Sequence, residues 1–222
     1  MLANKLMGAY QPPPTPPTAG SIVFDDANAE AIRTTASLPA IGFNAFTIEA
    51  WAKRSTGDTG TIFSVSGGTS IVIASDTRFE GTLNGRAVVF SDRAVPVDTW
   101  FHLAMVKAAG VDIVLTQLYL DGVMIHQVVA GGLISSGKAA VGSDDDVSIV
   151  DGFTGKVALA RFSDLVRYSF TFTPDANYGV DGDTIALFGS FDGGSTFADA
   201  TGTYTLEQIG AGTATASSDG PT

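Results

Sequence analysis

Asp98-Thr99-Trp100-Phe101-His102-Leu103-Ala104-Met105-Val106-Lys107 and, after a short break, Gln117-Leu118-Tyr119-Leu120-Asp121-Gly122-Val123-Met124-Ile125-His126 decide the fold of this chain of 222 residues. The first run is largely apolar along both alternating rows, so a strand here must be covered on both faces and lie centrally in its sheet. The second reads as two strands joined by Asp121-Gly122, a pair that tolerates the positive φ angles of a type I′ turn. That turn sets an expected register. Leu120 faces Val123 and Leu118 faces Ile125 on one side of the sheet, while Tyr119 faces Met124 and Gln117 faces His126 on the other.

Working outward, the neighbouring stretches follow the same period of two. Phe46, Ile48 and Ala50 form an apolar row, with Thr47, Glu49, Trp51 and Lys53 on the opposite side. Strands are expected at Ser21–Asp26, Ala31–Thr34, Thr61–Ser66, Ser70–Ala74 and Phe79–Leu83, and Asn84-Gly85 signals a second hairpin into Arg86–Phe90. Downstream, Ala139–Gly142, Phe153–Phe162 and Thr184–Gly189 read as extended, the last closing the core. Gly at 26 residues, a charged fraction of only 16% and the absence of any helical period favour many short strands and tight turns.

The Trp-x-His-Leu-Ala-x-Val strand followed by Leu-Tyr-Leu-Asp-Gly-Val resembles the laminin-G-like branch of the concanavalin A-like lectin and glucanase superfamily. Phe46-Thr47-Ile48-Glu49-Ala50-Trp51 looks like that family's early central strand. Phe153-Thr154-Gly155-Lys156-Val157-Ala158 looks like its late F-x-G-x-I-A strand, and Phe172-Thr173-Pro174 like the segment that follows. The resemblance spans roughly residues 21 to 195, in order and spacing, and implies an all-β, two-sheet antiparallel jelly-roll sandwich. It does not select a function, because this fold serves lectins, glycosidases, adhesion modules and structural domains.

The division expected along the chain is threefold. Residues 1–20 form an extended Pro-rich arm, 21–191 the jelly-roll domain, and 192–222 a Gly/Thr/Ser-rich extension able to lay one edge strand back on the sandwich. In the arm, Pro12, Pro13, Pro14, Pro16 and Pro17 remove backbone donors and favour polyproline II. Together with Leu2, Leu6, Met7 and Tyr10 they are the expected assembly contacts, on a neighbouring copy or another protein.

A formal net charge of −11, with basic residues scattered, argues against binding a nucleic-acid backbone. There are no cysteines for disulfides or thiolate metal sites. The opening residues do not read as a secretory signal, and no apolar run approaches the ~20 residues of a membrane span.

Catalysis finds little support. The glycosidase branch needs paired carboxylates on one strand face, typically Glu-x-Asp-x-x-Glu. Glu30, Glu49, Glu80 and Glu207 show no such pairing. His102 and His126 read as satisfied sheet histidines, and no Gly-x-Ser-x-Gly turn offers a nucleophile. Laminin-G-like relatives often hold Ca²⁺ at a loop rim, which makes Asp144 and Asp146 candidate ligands, with Asp25, Asp26, Asp92 and Asp121 as further rim carboxylates. Sugar recognition needs exposed aromatics beside planar polar groups, for which Trp51, Tyr119, Tyr168 and Tyr178 are the candidates. Trp51 is either covered by a crossing loop or exposed as a stacking platform, and the resemblance favours cover.

The expected function is therefore non-enzymatic, and the resemblance of two further segments implies a virion structural protein, either capsid decoration or tail/fibre component, assembled in the host cytoplasm and attached through its arm. Met1-Leu2-Ala3-Asn4-Lys5-Leu6-Met7-Gly8-Ala9 and Leu187-Phe188-Gly189-Ser190-Phe191-Asp192-Gly193 look like segments of laminin-G-like proteins in tailed-phage virions. Its partners would be other virion proteins or copies of itself, with surface glycans as a further ligand, and no nucleic acid or membrane. The alternative is a free carbohydrate-binding lectin-like module.

Overall fold

The computed structural model describes residues 20–25, 30–65, 68–91, 93–110, 114–143, 152–175, 179–190, 197–210 and 212–218. These residues contain strands and turns and no helix. The strands are β1 (Ser21–Phe24), β2 (Ala31–Thr34), β3 (Phe46–Lys53), β4 (Gly60–Val65), β5 (Thr69–Ser75), β6 (Arg78–Leu83), β7 (Arg86–Ser91) and β8 (Phe101–Lys107). There follow β9 (Leu115–Leu120), β10 (Val123–Val129), β11 (Ala139–Val141), β12 (Gly155–Ser163), β13 (Thr184–Gly189), β14 (Ala198–Asp199), β15 (Leu206–Ile209) and β16 (Thr215–Ser217).

Two antiparallel sheets face each other. The first runs β10-β9-β8-β3-β12-β1-β16, and the second β15-β2-β11-β4-β5-β6-β7. Strand β12 is long enough to take β1 on Lys156 and Val157 and β13 along Leu159–Ser163, while β3 lines its other edge. Between the sheets lie Ile48, Phe63, Ile71, Phe79, Phe101, Leu103, Phe162 and Phe188, with edge-to-face pairs such as Phe63–Phe188 and Phe79–Phe101. This is the expected all-β sandwich. Strand β8 sits between β3 and β9 with all seven residues buried, as its two apolar rows require.

Both predicted hairpin turns form with positive φ at their central residues: 49° and 76° at Asp121 and Gly122, 53° and 71° at Asn84 and Gly85. The register expected from the first turn holds for only two pairs, Val123 with Leu120 and Met124 with Tyr119. A bulge at Ile125 then shifts the ladder, so His126 faces Leu118 and Gln127 faces Gln117. The shift moves His126 from the outer face to the core-facing side, where its Nδ1 accepts from the backbone N–H of Phe90 on β7 at 2.9 Å. The sandwich is thereby laced shut along that side.

The C-terminal stretch does more than the single edge strand expected. Strand β14 joins β13, β16 joins β1 and β15 joins β2, so it extends both sheets. Asp199 organises the return: its carboxylate accepts from the backbone of Leu187, Thr201, Thr203 and Tyr204 and from the Thr201 hydroxyl. The arm residues expected to make assembly contacts lie outside the described residues.

A third layer covers the first sheet from outside. Residues 164–175 cross it as a roof, fastened at both ends. Thr47 donates to the Leu165 carbonyl and accepts from the Arg167 N–H, and Phe172 donates to the Gly122 carbonyl. Trp51 donates from Nε1 to the Asp175 carbonyl at 3.0 Å. Trp51 and Tyr119 both have no exposed surface under this roof, so Trp51 is covered, as the resemblance favoured, and neither is available as the sugar-stacking platform for which it was a candidate. Their rings are spent on packing, Trp51 with Trp100, Leu159 and Leu187, and Tyr119 with Ala104, Val106, Tyr168 and Phe172.

Candidate functional site

Beneath the roof, β3 and β12 place Glu49 and Arg161 directly opposite each other on the outer face of the first sheet. Glu49 is fully buried, and each oxygen is taken. Arg161 donates to Oε1 through Nε at 2.8 Å and approaches it through Nη2 at 2.7 Å. His102 Nε2 lies 2.9 Å from Oε2, and the Tyr168 hydroxyl donates to the same oxygen at 2.7 Å. Burial alone would raise the Glu49 pKa. The His102 hydrogen bond and the Arg161 charge outweigh it and hold the carboxyl down at about 2. An ionised Glu49 can only accept, so His102 carries its proton on Nε2. Tyr168 responds in the opposite sense: burial and the Glu49 charge push its phenol far above the usual range.

This arrangement suits support, not acid–base chemistry. A glycosidase needs one carboxylate free to attack or activate water and another to protonate the leaving oxygen. Glu49 is committed to three donors and lies behind the roof. His102, opposite Trp51 on β8, is fully buried and T-stacked on Tyr168 and Phe172.

The network meets solvent at a cleft. Arg161, Arg167, Tyr168, Asp175, Val180 and Asp181 line a cleft of about 400 Å³ at the roof's edge. Arg167 grips Asp181 with two parallel hydrogen bonds of 2.9 and 2.8 Å and holds Ser163 at 2.6 Å. Asp181 also accepts from the Thr184 hydroxyl and the Asp183 N–H, yet about half its side chain faces water. Hydrogen bonds from Arg167 keep its carboxyl ionised well below the usual range. Apolar surface adjoins this polar floor in Val166 and Val180 at its wall, and Phe170, two residues beyond Tyr168 in the same crossing segment, is 82% exposed. Oriented planar hydrogen-bonding groups beside exposed apolar surface are what a sugar ring needs, with its polar rim and C–H face.

Of the residues expected to bind ligand, only Tyr168 lines the cleft, and its ring is stacked on Phe172 at 3.5 Å. Tyr178, Asp144 and Asp146 lie outside the described residues, as do Asp26 and Asp92. Asp121 serves its turn, accepting from the His102 N–H at 2.9 Å. Among the described residues, no group of three His, Asp or Glu side chains could hold a metal ion. Sequence reasoning missed Phe170, Arg167 and Asp181. The available signal was a large apolar residue, Phe170, in a segment with no strand pattern to bury it.

The chain belongs to the family described as the concanavalin A-like lectin/glucanases superfamily, whose laminin-G-type profile matches residues 26–169. Comparison with curated protein sequences gives no match. Among solved structures, a heptameric SAP-like pentraxin from Limulus polyphemus is similar with a TM-score of 0.59 and 18% identity, over 87% of this chain and 96% of that one. A Bacteroides ovatus protein described as a candidate carbohydrate binding protein is similar with a TM-score of 0.61 and 16% identity, over 92% of this chain. The similarity spans 62% of that longer chain. At these identities the likeness is one of fold.

Proposed function

We propose that this protein is a non-enzymatic, lectin-like display module that holds saccharide in the cleft between Arg161 and Asp181. It works as a structural component of a virion, as capsid decoration or part of a tail or fibre, attached through residues 1–20. The observation that carries the binding reading is the contrast at the outer face. Its buried carboxylate, Glu49, is saturated and roofed, while the Asp181 carboxylate in the adjoining cleft is about half open to water and Phe170, in the crossing segment that walls the cleft, is exposed. The virion setting is supported by the proline-dense arm ahead of β1 and by the resemblance of Leu187–Gly193 to phage-borne relatives.

Two experiments test these parts separately. Titrating neutral and acidic oligosaccharides into the protein should give binding that Asp181→Ala and Phe170→Ala each weaken about tenfold, a loss of ~1.4 kcal/mol. An array without hits removes the lectin reading. Deleting residues 1–20 should leave saccharide binding unchanged and abolish incorporation into particles. Incorporation that survives the deletion removes the anchoring reading and leaves a free carbohydrate-binding module.

A further inference from the structure

The cleft at the roof's edge is lined by two arginines and two aspartates, and they do not face water equally. The side chains of Arg161 and Arg167 are 7% and 12% exposed, that of Asp181 47%. The arginine donors are committed inward. Arg161 gives Nε and Nη2 to Glu49 and turns Nη1 to the Gly179 carbonyl. Arg167 gives Nε to Ser163, Nη1 and Nη2 to Asp181, and Nη2 to the Thr184 hydroxyl as well. The positive charge of the cleft is thus spent largely on the protein's own acceptors.

The Asp181 carboxylate is placed the other way. Its Oδ1 accepts from Arg167 Nη2, from the Thr184 hydroxyl and from the Asp183 N–H. Among the described residues Oδ2 accepts from Arg167 Nη1 alone, so it keeps acceptor capacity on a side chain that is half in water. The second lining carboxylate, Asp175, is exposed, and so are Asp164 and Asp183, whose backbones are joined beside the cleft. Glu49 already offsets Arg161 from behind. A ligand entering here meets an excess of negative charge, on a chain whose net charge is −11.

Resting on the reading of this cleft as a saccharide site, we propose that it selects its sugar by charge. A sugar with a protonated free amine seats that amine on Asp181 Oδ2, a neutral N-acetylated sugar binds less tightly, and a sugar acid binds least. The chemistry orders the three. An ammonium brings three donors and a positive charge to an ionised acceptor, which makes a charge-assisted contact. An amide brings one donor and no charge. A carboxylate brings negative charge to a site whose guanidinium donors are engaged, and the field of an acidic chain opposes its approach. Val166 and Val180, 37% and 50% exposed, supply apolar surface for the C–H face of the ring in all three cases.

Calorimetric titration of three β-1,4-linked tetrasaccharides, of glucosamine, N-acetylglucosamine and glucuronic acid, reads this order, at a pH below the pKa of the glucosamine amine. Asp181 stays ionised there, because the Arg167 hydrogen bonds hold its carboxyl well below the usual range. The glucosamine tetramer should bind about fivefold or more tighter than the N-acetylated one, the upper range for a half-exposed ion pair. Glucuronate should bind weakest. Raising NaCl from about 50 to about 300 mM should weaken glucosamine binding and leave the neutral tetramer unchanged, a result read on the unmodified protein. Asp181→Asn should erase the preference for the amine. Glu207→Gln, which removes the same unit of charge on the opposite sheet, should keep it. Glucuronate or N-acetylglucosamine binding as tightly as glucosamine overturns the inference and leaves the saccharide site standing. An amine preference that survives Asp181→Asn overturns it too. If none of the three binds, the inference falls, and the saccharide site falls with it only when the wider array is also empty.

Discussion

Glu49 ties three strands and the roof together at one carboxylate. Its partners come from β8, β12 and the crossing segment, and the energy of the cluster lies in their mutual dependence. Removing one member of a buried ion pair leaves the other charge desolvated and uncompensated, which costs about 3–5 kcal/mol. Glu49→Gln should therefore lower stability by that amount, read from urea denaturation. The loss should exceed that of Glu207→Gln, whose carboxylate is partly exposed and salt-bridged at the surface. The same residue sets an acid limit. Its folded pKa, about 2, lies below the ordinary 4.5, so its stabilisation is fully present above pH 4.5 and disappears as pH falls toward 2. Stability measured between pH 5 and pH 2 should fall in wild type and fall less steeply in Glu49→Gln.

At the scale of elements, two hairpins with the same turn chemistry do different jobs. Gly85 has open space where a Cβ would stand, so Gly85→Ala should cost only the left-handed backbone penalty, about 1–2 kcal/mol. At Gly122 a Cβ would collide with the Phe172 carbonyl and crowd Pro174. Gly122→Ala should therefore cost more than Gly85→Ala and lift the roof. Its signature is a red shift in tryptophan emission as Trp51 loses its Asp175 partner and gains water. Equal losses for the two variants, without a spectral change, would mean that the β9–β10 turn does not hold the roof down. Arg54 shows the same economy elsewhere. Its buried guanidinium donates to the carbonyls of Ser55, Asp58, Asp76 and Val95 and pairs with the Asp76 carboxylate, pinning the turn after β3 to the β5–β6 turn and the segment before β8.

For the whole molecule the dominant long-range term is charge. At −11 the compact state repels itself, and screening relieves it. Raising NaCl from about 20 to about 300 mM should raise the melting temperature by about 2–4 °C, equivalent to ~1 kcal/mol for a chain of this size. No change would mean that local ion pairs such as Arg167–Asp181 cancel the repulsion. The sandwich itself was legible in the amino-acid sequence, because alternation, turn pairs and double-sided apolarity are local properties with one pleated solution. The central place of β8 and both type I′ turns were readable for that reason. The bulge at Ile125 was not, since the contact that accompanies it, His126 with Phe90, is made with a strand of the opposite sheet. Nor was the roof legible: the partners of Glu49 stand 53, 112 and 119 residues away in the chain, and only folding makes them neighbours. Strand periodicity marks a residue as facing one side or the other of its sheet. Whether that side meets water or another part of the chain depends on distant segments, so the burial of Trp51 and the exposure of Phe170 were left to the tertiary structure.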